Sequence, residues 1–397
     1  MTTSMPRKKV AVVQPFLVPG GGTEAVTAWM LEALKADFDL TLISYSNVDL
    51  NELNLYYGTE LQSDQLSLVR PKVPYPLNRT ARLLFLKDHL MGRYCRSVRR
   101  SFDLFINVGG VMDFGTRGVQ YMALAPGATL AKVLAGDRSL PFWYLALKRT
   151  SMDLVQLVCG FSEKRARQNI TLVTSEWAGG LTRRLYGIAD AQVVYPPVNS
   201  TPETLGWESR EEGFLCVARV SPEKRIERVI EILSSLRYRG FDISLRIIGR
   251  QDNPGYLAQI KGALGYDPAW VHLDGLLSRV GLQSLMGRYK YGINAAEDEP
   301  FGIGLAELVA NGCIVFVPNS GGQTEIADDP RLVFSSVDEA VRKIAEVLES
   351  REKQRVLLDH LSRKRGTFST QNFCAGVHEI VSGILSPKTE YGGHVPA

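Results

Sequence analysis

Short apolar runs alternate with loops and helical segments along this chain, and the alternation begins twice. It first begins with an apolar run at 10–13, which leads through a glycine-rich loop into a helical pattern at 23–35. It begins again with a run at 214–218, which leads through a second loop into a helical pattern at 226–239. Apolar runs this short suit parallel strands that helices cover on both faces. The pattern predicts an α/β protein with two Rossmann-like, doubly wound domains.

A proline pair and a polar stretch separate the two halves. Pro196 and Pro197 close the last apolar run of the first half, and the residues that follow are mostly polar. A chain of 397 residues is also long enough for two ordinary domains. We therefore predict a first domain over 1–198, a second over 199–370, and a final helix in 371–397 that crosses back to the first domain before a tail.

The composition argues against several classes of protein. The formal net charge of +4 is small for a nucleic-acid-binding protein. The 5 cysteines are scattered without a CxxC pair, so neither disulfides nor a zinc site are expected. No run reaches the roughly 18 apolar residues of a membrane-spanning helix, and the run at 10–13 is too short for a signal-peptide core. We expect a cytoplasmic protein that touches membranes at most from the inner face, with no metal or other cofactor and no nucleic-acid partner.

The unusual loops of the chain all follow predicted strands. Ligands of open α/β sheets bind where the strands end, at their carboxyl edge. We therefore expect the loops of the second domain to form one rim around a ligand. The loops are residues 20–22 in the first domain and 219–224, 249–250, 297–301 and 319–324 in the second.

Two cations flank a predicted helix start in the second domain. Ser221 is a typical N-cap residue, and Pro222 suits the first helical position. Arg219 and Lys224 then lie at the positive end of the helix, which predicts a diphosphate site. The alternative is that Lys224 is a solvated residue of the first turn and that Arg219 pairs with a nearby acid.

Two carboxylates lie 8 positions apart across a Phe-Gly turn, at Glu299 and Glu307. A helix that starts near Gly302 would place Glu307 in its second turn and Glu299 in the loop before it. Such a place suits a ligand that carries hydroxyls and phosphates, because backbone N–H groups are free at a helix N-terminus. The alternative is a solvated loop followed by a surface helix.

Basic residues recur between apolar ones over 77–100. An amphipathic helix of this kind lies on an anionic membrane surface, or packs on the core with its basic side chains in water. Both interpretations stay open. The arginines that would face a membrane are Arg93, Arg96, Arg99 and Arg100.

Four stretches together resemble one family. They are the strand and linker at 194–198, the loop at 218–224, the Glu-x7-Glu stretch at 299–307 and the Asn-Ser-Gly-Gly loop at 319–322. The chain resembles the retaining glycosyltransferases of the GT-B fold, family 4 type. In motif form it is most similar to α-1,2-mannosyltransferases that extend lipid-linked oligosaccharides from GDP-mannose. The resemblance covers most of the chain and implies two domains facing a cleft. It also implies that a hexose, with mannose favoured, passes from a nucleotide sugar to a glycan or lipid-linked glycan.

The resemblance implies roles for individual residues. Arg219 and Lys224 would hold the diphosphate, and Glu299 would contact hydroxyls of the transferred sugar; these three are the expected catalytic residues. The first domain would bind the acceptor and the second the nucleotide sugar. Glu307 would bind the ribose hydroxyls. The other expected donor-binding positions are Gly21, Gly22, Gly249, Arg250, Phe301, Gly302, Ile303, Ser320, Gly321 and Gly322.

One departure from the family concerns the first domain. Many members carry a histidine just before a proline at the place where this chain has Ala125-Pro126. Two alternatives to a transferase stay open, and the missing histidine motivates the first of them. One is a degenerate GT-B protein that binds a nucleotide sugar or regulates without transfer, and the other is a GT-B sugar-nucleotide epimerase.

Overall fold

The computed structural model describes residues 6–73, 84–123, 142–200, 205–251, 253–264 and 269–386. Within these ranges the chain forms two parallel β-sheets, one after the other along the sequence. The predicted α/β architecture with two doubly wound sheets is confirmed. None of the helices in these ranges has the length and apolar character needed to cross a membrane.

The first sheet contains the strands before residue 194. They are β1 (Lys9–Val13), β2 (Asp39–Ile43), β3 (Leu66–Val69), β4 (Leu104–Val108), β5 (Val119–Met122), β6 (Ile170–Val173) and β7 (Gln192–Val193). Their order is β3-β2-β1-β4-β5-β6-β7, and every pairing is parallel. The helices around it are α1 (Gly22–Leu34), α2 (Leu50–Tyr57), α3 (Leu84–Ser97), α4 (Phe142–Cys159), α5 (Glu163–Ala166) and α6 (Glu176–Tyr186).

The alternation of side chains along β1 shows why this sheet is covered on both faces. Val10 and Val12 join the hydrophobic cluster that contains much of α1. Ala11 and Val13 point the other way and join a second cluster, which contains residues of α3. Successive strand residues face opposite sides of a sheet, so a strand that is apolar at every position needs a layer on each side.

The second sheet has the order β10-β9-β8-β11-β12-β13, again parallel. Its strands are β8 (Glu211–Val217), β9 (Ser244–Ile248), β10 (Val271–Gly275), β11 (Tyr289–Ile293), β12 (Ile314–Pro318) and β13 (Val333–Phe334). The helices around it are α7 (Ile226–Tyr238), α8 (Pro254–Ala263), α9 (Arg279–Arg288), α10 (Ile303–Ala310), α11 (Gln323–Ala327), α12 (Val337–Leu348) and α13 (Arg351–Lys364).

The last helix, α14 (Thr370–Leu385), packs against the first sheet's layer rather than the second. Val198 and Ser369 form an isolated parallel bridge where the chain passes between the domains. Phe373 and Val377 are buried in the cluster that contains α1. The chain therefore runs from the first domain into the second and then returns.

The stretch 47–76, whose sequence carries Pro71, Pro74 and Pro76, contains two regular elements. They are α2 and β3. The carboxylate of Asp49 caps α2 by accepting from the N–H groups of Asn51 and Glu52, and Gly58 ends the helix with φ of 71°. The cap and the glycine are the usual signals of a short helix. The three prolines nearby obscured them in the sequence.

The basic segment predicted at 77–100 is described from residue 84, and its Arg96 faces inward. The side chain is 14% exposed, and its Nη1 donates to the carbonyl oxygen of Asp113 at 2.8 Å. The prediction that Arg96 faces a membrane is therefore wrong. A buried carboxylate needs a cationic partner, and Arg96 serves that need. Arg93, Arg99 and Arg100 are exposed.

Asp113 is the buried acceptor that ties this part of the first domain together. Its side chain is fully buried and forms ion pairs with Arg96 and with Arg165, at 3.4 and 2.7 Å. It also accepts from the backbone N–H groups of Gly115 and Ser162. Burial alone raises the pKa of Asp113, but these donors together hold it below its ordinary value.

We expect Asp113→Asn to lower the free energy of unfolding by about 3 kcal/mol at pH 7, because it leaves Arg96 buried without its counter-charge. A group with a lowered folded-state pKa stabilises the fold above its unfolded pKa and loses that effect as the pH falls. The difference between wild type and variant should therefore shrink as the pH falls below 3.8, the ordinary value. Urea denaturation at several pH values measures it. Asp64→Asn, at an exposed position of the same domain, should change stability by less than about 0.5 kcal/mol.

Candidate functional site

Lys224 and Glu299 meet at the carboxyl edge of the second sheet. Lys224 ends a 3-10 turn after β8, and Glu299 lies in the loop between β11 and α10. The Nζ atom of Lys224 forms an ion pair with Oε2 of Glu299, and the two side chains are only 18% and 15% exposed. The structure therefore brings two of the predicted catalytic side chains into direct contact.

The loop after β8 differs from the predicted helix start. Ser221 caps no helix; its hydroxyl donates to the carboxylate of Glu223 at 2.6 Å. The helix α7 begins only after Arg225, which has a positive φ of 47°. A residue in the left-handed region interrupts the helical path, so the prediction that Ser221 and Pro222 open the helix is wrong.

Arg219 lies on the exposed side of the same loop. Its side chain is 53% exposed, and its Nη2 lies 3.3 Å from Oε1 of Glu223. Burial alone raises the pKa of Glu223, but the Ser221 hydroxyl and the nearby cations hold it below its ordinary value. Arg219 pairs with a nearby acid, but about half of its side chain stays exposed to a ligand, whereas Lys224 is largely buried against a carboxylate of the rim.

The glycines of the loop after β12 pack against the backbone around Glu299. A Cβ atom on Gly321 would lie 2.4 Å from the carbonyl oxygen of Glu299, and one on Gly322 would lie 2.2 Å from that of Pro300. The N–H of Gly322 donates to the Glu299 carbonyl at 2.8 Å. Both glycines are therefore needed to let the two loops approach. Ser320 supports the same loop, because its hydroxyl donates to Asp298 at 2.8 Å.

Glu307 is buried on α10, and its partner is a residue that the sequence analysis did not single out. Nη1 of Arg279 lies 2.5 Å from Oε1 of Glu307, and the two side chains are 10% and 9% exposed. Arg279 is the first residue of α9, which Ser278 caps. The sequence signal that could have indicated Arg279 is a basic residue directly after a serine N-cap that follows a strand. The loop that carries Arg219 and Lys224 was predicted from a similar pattern.

Phe301 and Gly302 shape the turn between the two carboxylates. Phe301 is 2% exposed and packs against the rings of Tyr195 and Phe368, at centroid distances of 5.8 and 5.3 Å. Because the Phe301 side chain faces the core, the prediction that this side chain contacts the donor is wrong. Gly302 has φ of 97° and precedes α10, and a residue with a Cβ atom rarely adopts that conformation.

Arg250 connects the second domain to the glycine loop of the first. Its Nη1 donates to the carbonyl oxygen of Pro19 at 3.0 Å. A Cβ atom on Gly20 would lie 2.5 Å from Cδ of Arg250. Gly249 lets Arg250 reach this position, because it has φ of 153° and a Cβ atom there would lie 2.1 Å from the carbonyl oxygen of Ala218.

The glycine loop of the first domain is held by Tyr57. The N–H groups of Gly20 and Gly21 donate to the Tyr57 hydroxyl at 2.7 and 3.2 Å, so these two amides already have an acceptor. Gly22 opens α1, and a Cβ atom on it would lie 3.1 Å from Cδ1 of Ile303 on α10. Gly22 and Ile303 therefore face each other across the cleft.

Glu24 is a carboxylate of the cleft that the sequence analysis assigned no role. A Cβ atom on Gly21 would lie 2.3 Å from Oε2 of Glu24, so the carboxylate folds back over the N-terminus of α1. Burial raises the pKa of Glu24, while its own backbone N–H and the charges of Arg219 and Arg250 act in the opposite direction. An anion thus already lies near the place where a phosphate would bind.

A second set of contacts joins the two domains behind the cleft. The Ser175 hydroxyl donates to the carbonyl oxygen of Pro300 at 2.6 Å. The Glu325 carboxylate, on α11, accepts from the backbone N–H groups of Glu176 and Trp177 at 3.1 and 2.9 Å. Glu325 therefore caps α6 of the opposite domain. Acidic residues stabilise the N-termini of helices, but sequence offers no signal for a cap supplied from another domain.

The structure leaves two expectations untested, namely the consequence of the missing histidine before Pro126 and the absence of a metal cofactor. The Ala125-Pro126 stretch lies outside the described residues. In the ranges that the structure describes, no group of three or more His, Cys, Asp or Glu side chains is arranged to hold a metal ion.

Comparison with known families identifies the second domain. Residues 199–359 match the family described as glycosyl transferases group 1. This range contains the Lys224 and Glu299 pair and the Arg279 and Glu307 pair. The motif resemblance is therefore confirmed for this domain.

Curated relatives share a lower similarity over part of their length. The GDP-Man:Man(3)GlcNAc(2)-PP-Dol alpha-1,2-mannosyltransferase of Dictyostelium discoideum is 26% identical over 245 residues, which cover 55% of this chain and 47% of that protein. The protein with the same description from Candida glabrata is 26% identical over 172 residues, covering 39% of this chain and 34% of its own length. The alignments thus span less than half of each relative.

Solved structures match over nearly the whole chain. WaaG, a glycosyltransferase involved in lipopolysaccharide biosynthesis, has a TM-score of 0.69 at 15% identity, covering 94% of this chain and 100% of that one. HepE of Anabaena, in complex with UDP and glucose, has a TM-score of 0.66 at 13% identity and covers 94% and 99%. The predicted GT-B fold is confirmed. The chain has a GT-B fold, and residues 199–359 of its second domain match the family described as glycosyl transferases group 1.

Proposed function

We propose that this protein is a retaining glycosyltransferase that moves a hexose from a nucleotide sugar to a glycan or a lipid-linked glycan. The observation that carries the proposal is the ion pair of Lys224 and Glu299 on the rim of the cleft. A cation that can bind phosphate thus lies beside a carboxylate that can accept from sugar hydroxyls. The glycine loop of the first domain reaches the same cleft through Gly20 and Gly22.

The proposed reaction relies on position and charge. Lys224 and Arg219 stabilise the negative charge that develops on the diphosphate as its bond to the anomeric carbon breaks. The acceptor oxygen forms its bond on the same face of the sugar, and its proton passes to an oxygen of the leaving phosphate. Glu299 holds hydroxyls of the transferred sugar during this step. The two cations supply the charge that a metal ion would otherwise provide, so we propose transfer without a metal.

The proposed donor is GDP-mannose. The support is the description of the two curated relatives as GDP-mannose-dependent α-1,2-mannosyltransferases. The acceptor of those relatives is a lipid-linked oligosaccharide by the same description, and we propose an acceptor of that class here.

A thermal-shift screen of GDP- and UDP-sugars with EDTA present tests the proposal, followed by product analysis with and without acceptor. We expect GDP-mannose to raise the melting temperature, because a ligand that binds only the folded state stabilises it. A rise without turnover would support a binding protein, and a changed sugar without acceptor would support an epimerase. No shift with any nucleotide sugar would contradict the proposed function.

Lys224→Met and Glu299→Gln should each lower kcat/KM by about 100-fold or more, because each removes a charge that acts on the reacting sugar phosphate. Each variant also leaves a largely buried charge without its partner and should lower the melting temperature, so activity is compared at a temperature where every variant is folded. Lys353→Met and Glu346→Gln form a matched control, since this pair lies on the surface at 3.0 Å. If the Lys224 and Glu299 variants keep wild-type kcat/KM, the site is assigned wrongly.

Glu24→Gln should bind the nucleoside diphosphate about 3- to 10-fold more tightly at pH 7, because it removes a negative charge that competes for the α1 N-terminus. The pKa of Glu24 is raised, so wild-type affinity should approach that of the variant as the pH falls. Calorimetric titration between pH 8 and pH 5 measures both. Weaker binding by the variant would show that Glu24 contacts the ligand instead of opposing it.

We also propose that the first domain binds the inner face of an anionic membrane. Exposed apolar side chains share one side of α4, with Leu154 and Leu157 at 59% and 77% exposure. The neighbouring α3 and the turn after it contribute exposed arginines, among them Arg93, which donates to a carbonyl of α4, Arg99 and Arg100. Apolar residues flanked by arginines favour binding at the surface of an anionic bilayer.

Flotation with vesicles that contain phosphatidylglycerol tests this surface. The wild type should float, and Arg99→Gln combined with Arg100→Gln and Leu157→Ser should stay in the soluble fraction. Arg342→Gln with Lys353→Gln, which removes exposed charge from the second domain, is the matched control and should float. Unchanged flotation of the triple variant would remove this face from the proposal.

A further inference from the structure

We propose that Arg279 is a ribose-binding residue of the donor site: it orients Glu307 and offers a buried N–H group to a ribose hydroxyl. The proposal rests on the proposed function, since it needs a nucleotide donor in this cleft. It assigns a role to a residue outside the recognised motifs. The argument comes from two contacts and one unpaired donor of a single guanidinium group.

The first contact fixes the carboxylate of Glu307. Nη1 of Arg279 lies 2.5 Å from Oε1 of Glu307, and both side chains are about nine-tenths buried. A buried carboxylate without a counter-charge costs several kcal/mol. Arg279 therefore supplies the counter-charge of the Glu307 carboxylate and holds one of its oxygens in place. The second carboxylate oxygen remains as an acceptor for a ligand hydroxyl.

The second feature is a buried donor that lacks an acceptor. Nε of Arg279 is buried and has no hydrogen-bond partner among the residues that the structure describes. An unpaired buried donor destabilises the fold, so its retention beside a carboxylate is typical of a site that a ligand completes. A vicinal diol satisfies both groups, because one hydroxyl donates to Glu307 and the other accepts from Nε. Ribose carries such a diol.

The second contact reaches the boundary between the domains. Nη2 of Arg279 donates to the carbonyl oxygen of Asn199 at 3.3 Å. The side-chain amide of Asn199 donates to the carbonyl oxygen of Tyr57 at 3.1 Å, and the Tyr57 hydroxyl holds the amides of Gly20 and Gly21. Arg279 therefore fixes the proposed ribose site relative to the glycine loop of the opposite domain.

Lysine cannot replace this arginine, because its ammonium is a single point charge without the planar fork that reaches three partners. Arg279→Lys keeps the charge beside Glu307 but removes the Nε donor. The ratio of affinities for GDP and 2′,3′-dideoxy-GDP isolates the contribution of the ribose hydroxyls. This ratio does not depend on the fraction of folded protein, so a variant that is less stable remains informative.

Isothermal titration of both nucleotides is the decisive experiment. We expect the wild type to bind GDP at least 10-fold more tightly than the dideoxy nucleotide, and Arg279→Lys to reduce that ratio to about 2-fold. Glu307→Gln should reduce it similarly, and the double variant should lose little more, because the two residues act on one diol. Arg288→Lys, at the exposed end of α9 beside Glu211, is the matched control and should keep the wild-type ratio.

The outcomes separate this inference from the proposed function. If the wild type binds GDP and Arg279→Lys keeps the full ribose discrimination, the role of Arg279 is overturned while the donor site stands. If the wild type binds neither GDP nor UDP, the proposed function fails, and the role of Arg279 fails with it.

Discussion

The backbone carbonyls of Glu299 and Pro300 are the point on which both domains converge. From the second domain, the Gly322 N–H donates to the Glu299 carbonyl, and both loop glycines lie too close for a side chain. From the first domain, Ser175 donates to the Pro300 carbonyl. The residue that carries the Glu299 carboxylate is therefore fixed from two sides. This rigidity suits a group that acts by position, since small displacements of such a group are costly to catalysis.

The charges of the cleft are arranged as pairs. Lys224 faces Glu299, and Arg279 faces Glu307, each pair being mostly buried. A buried ion pair stays favourable only while each charge has a partner. A ligand that separates such a pair must therefore offer a new partner to each of the two charged side chains. A nucleotide sugar carries both kinds of partner, namely phosphates for the cations and hydroxyls for the carboxylates. The pairs therefore keep the site charged and ordered, and they favour a ligand with this combination of groups.

The sequence predicted the two sheets because their strands are short, apolar and followed by glycine or proline, and these signals are local. The sequence also predicted which loops form the rim of the second sheet, since Lys224, Glu299 and Gly321 all follow strands. It could not show that Tyr57 holds the glycine loop or that Glu325 caps a helix of the other domain, because both contacts join residues that are distant in sequence. Arg96 was misplaced for the same reason: its buried partner Asp113 lies beyond the end of its helix.

The position of Tyr57 explains how the first domain contributes to a site built mainly by the second. Its hydroxyl accepts from Gly20 and Gly21, which sets the path of the loop up to the start of α1. Burial raises the pKa of this hydroxyl, so it stays protonated and also donates to the Gly21 carbonyl. The carbonyl of the same residue is bound by Asn199 at the domain boundary. A change in the angle between the domains would therefore disturb the contacts that hold the glycine loop.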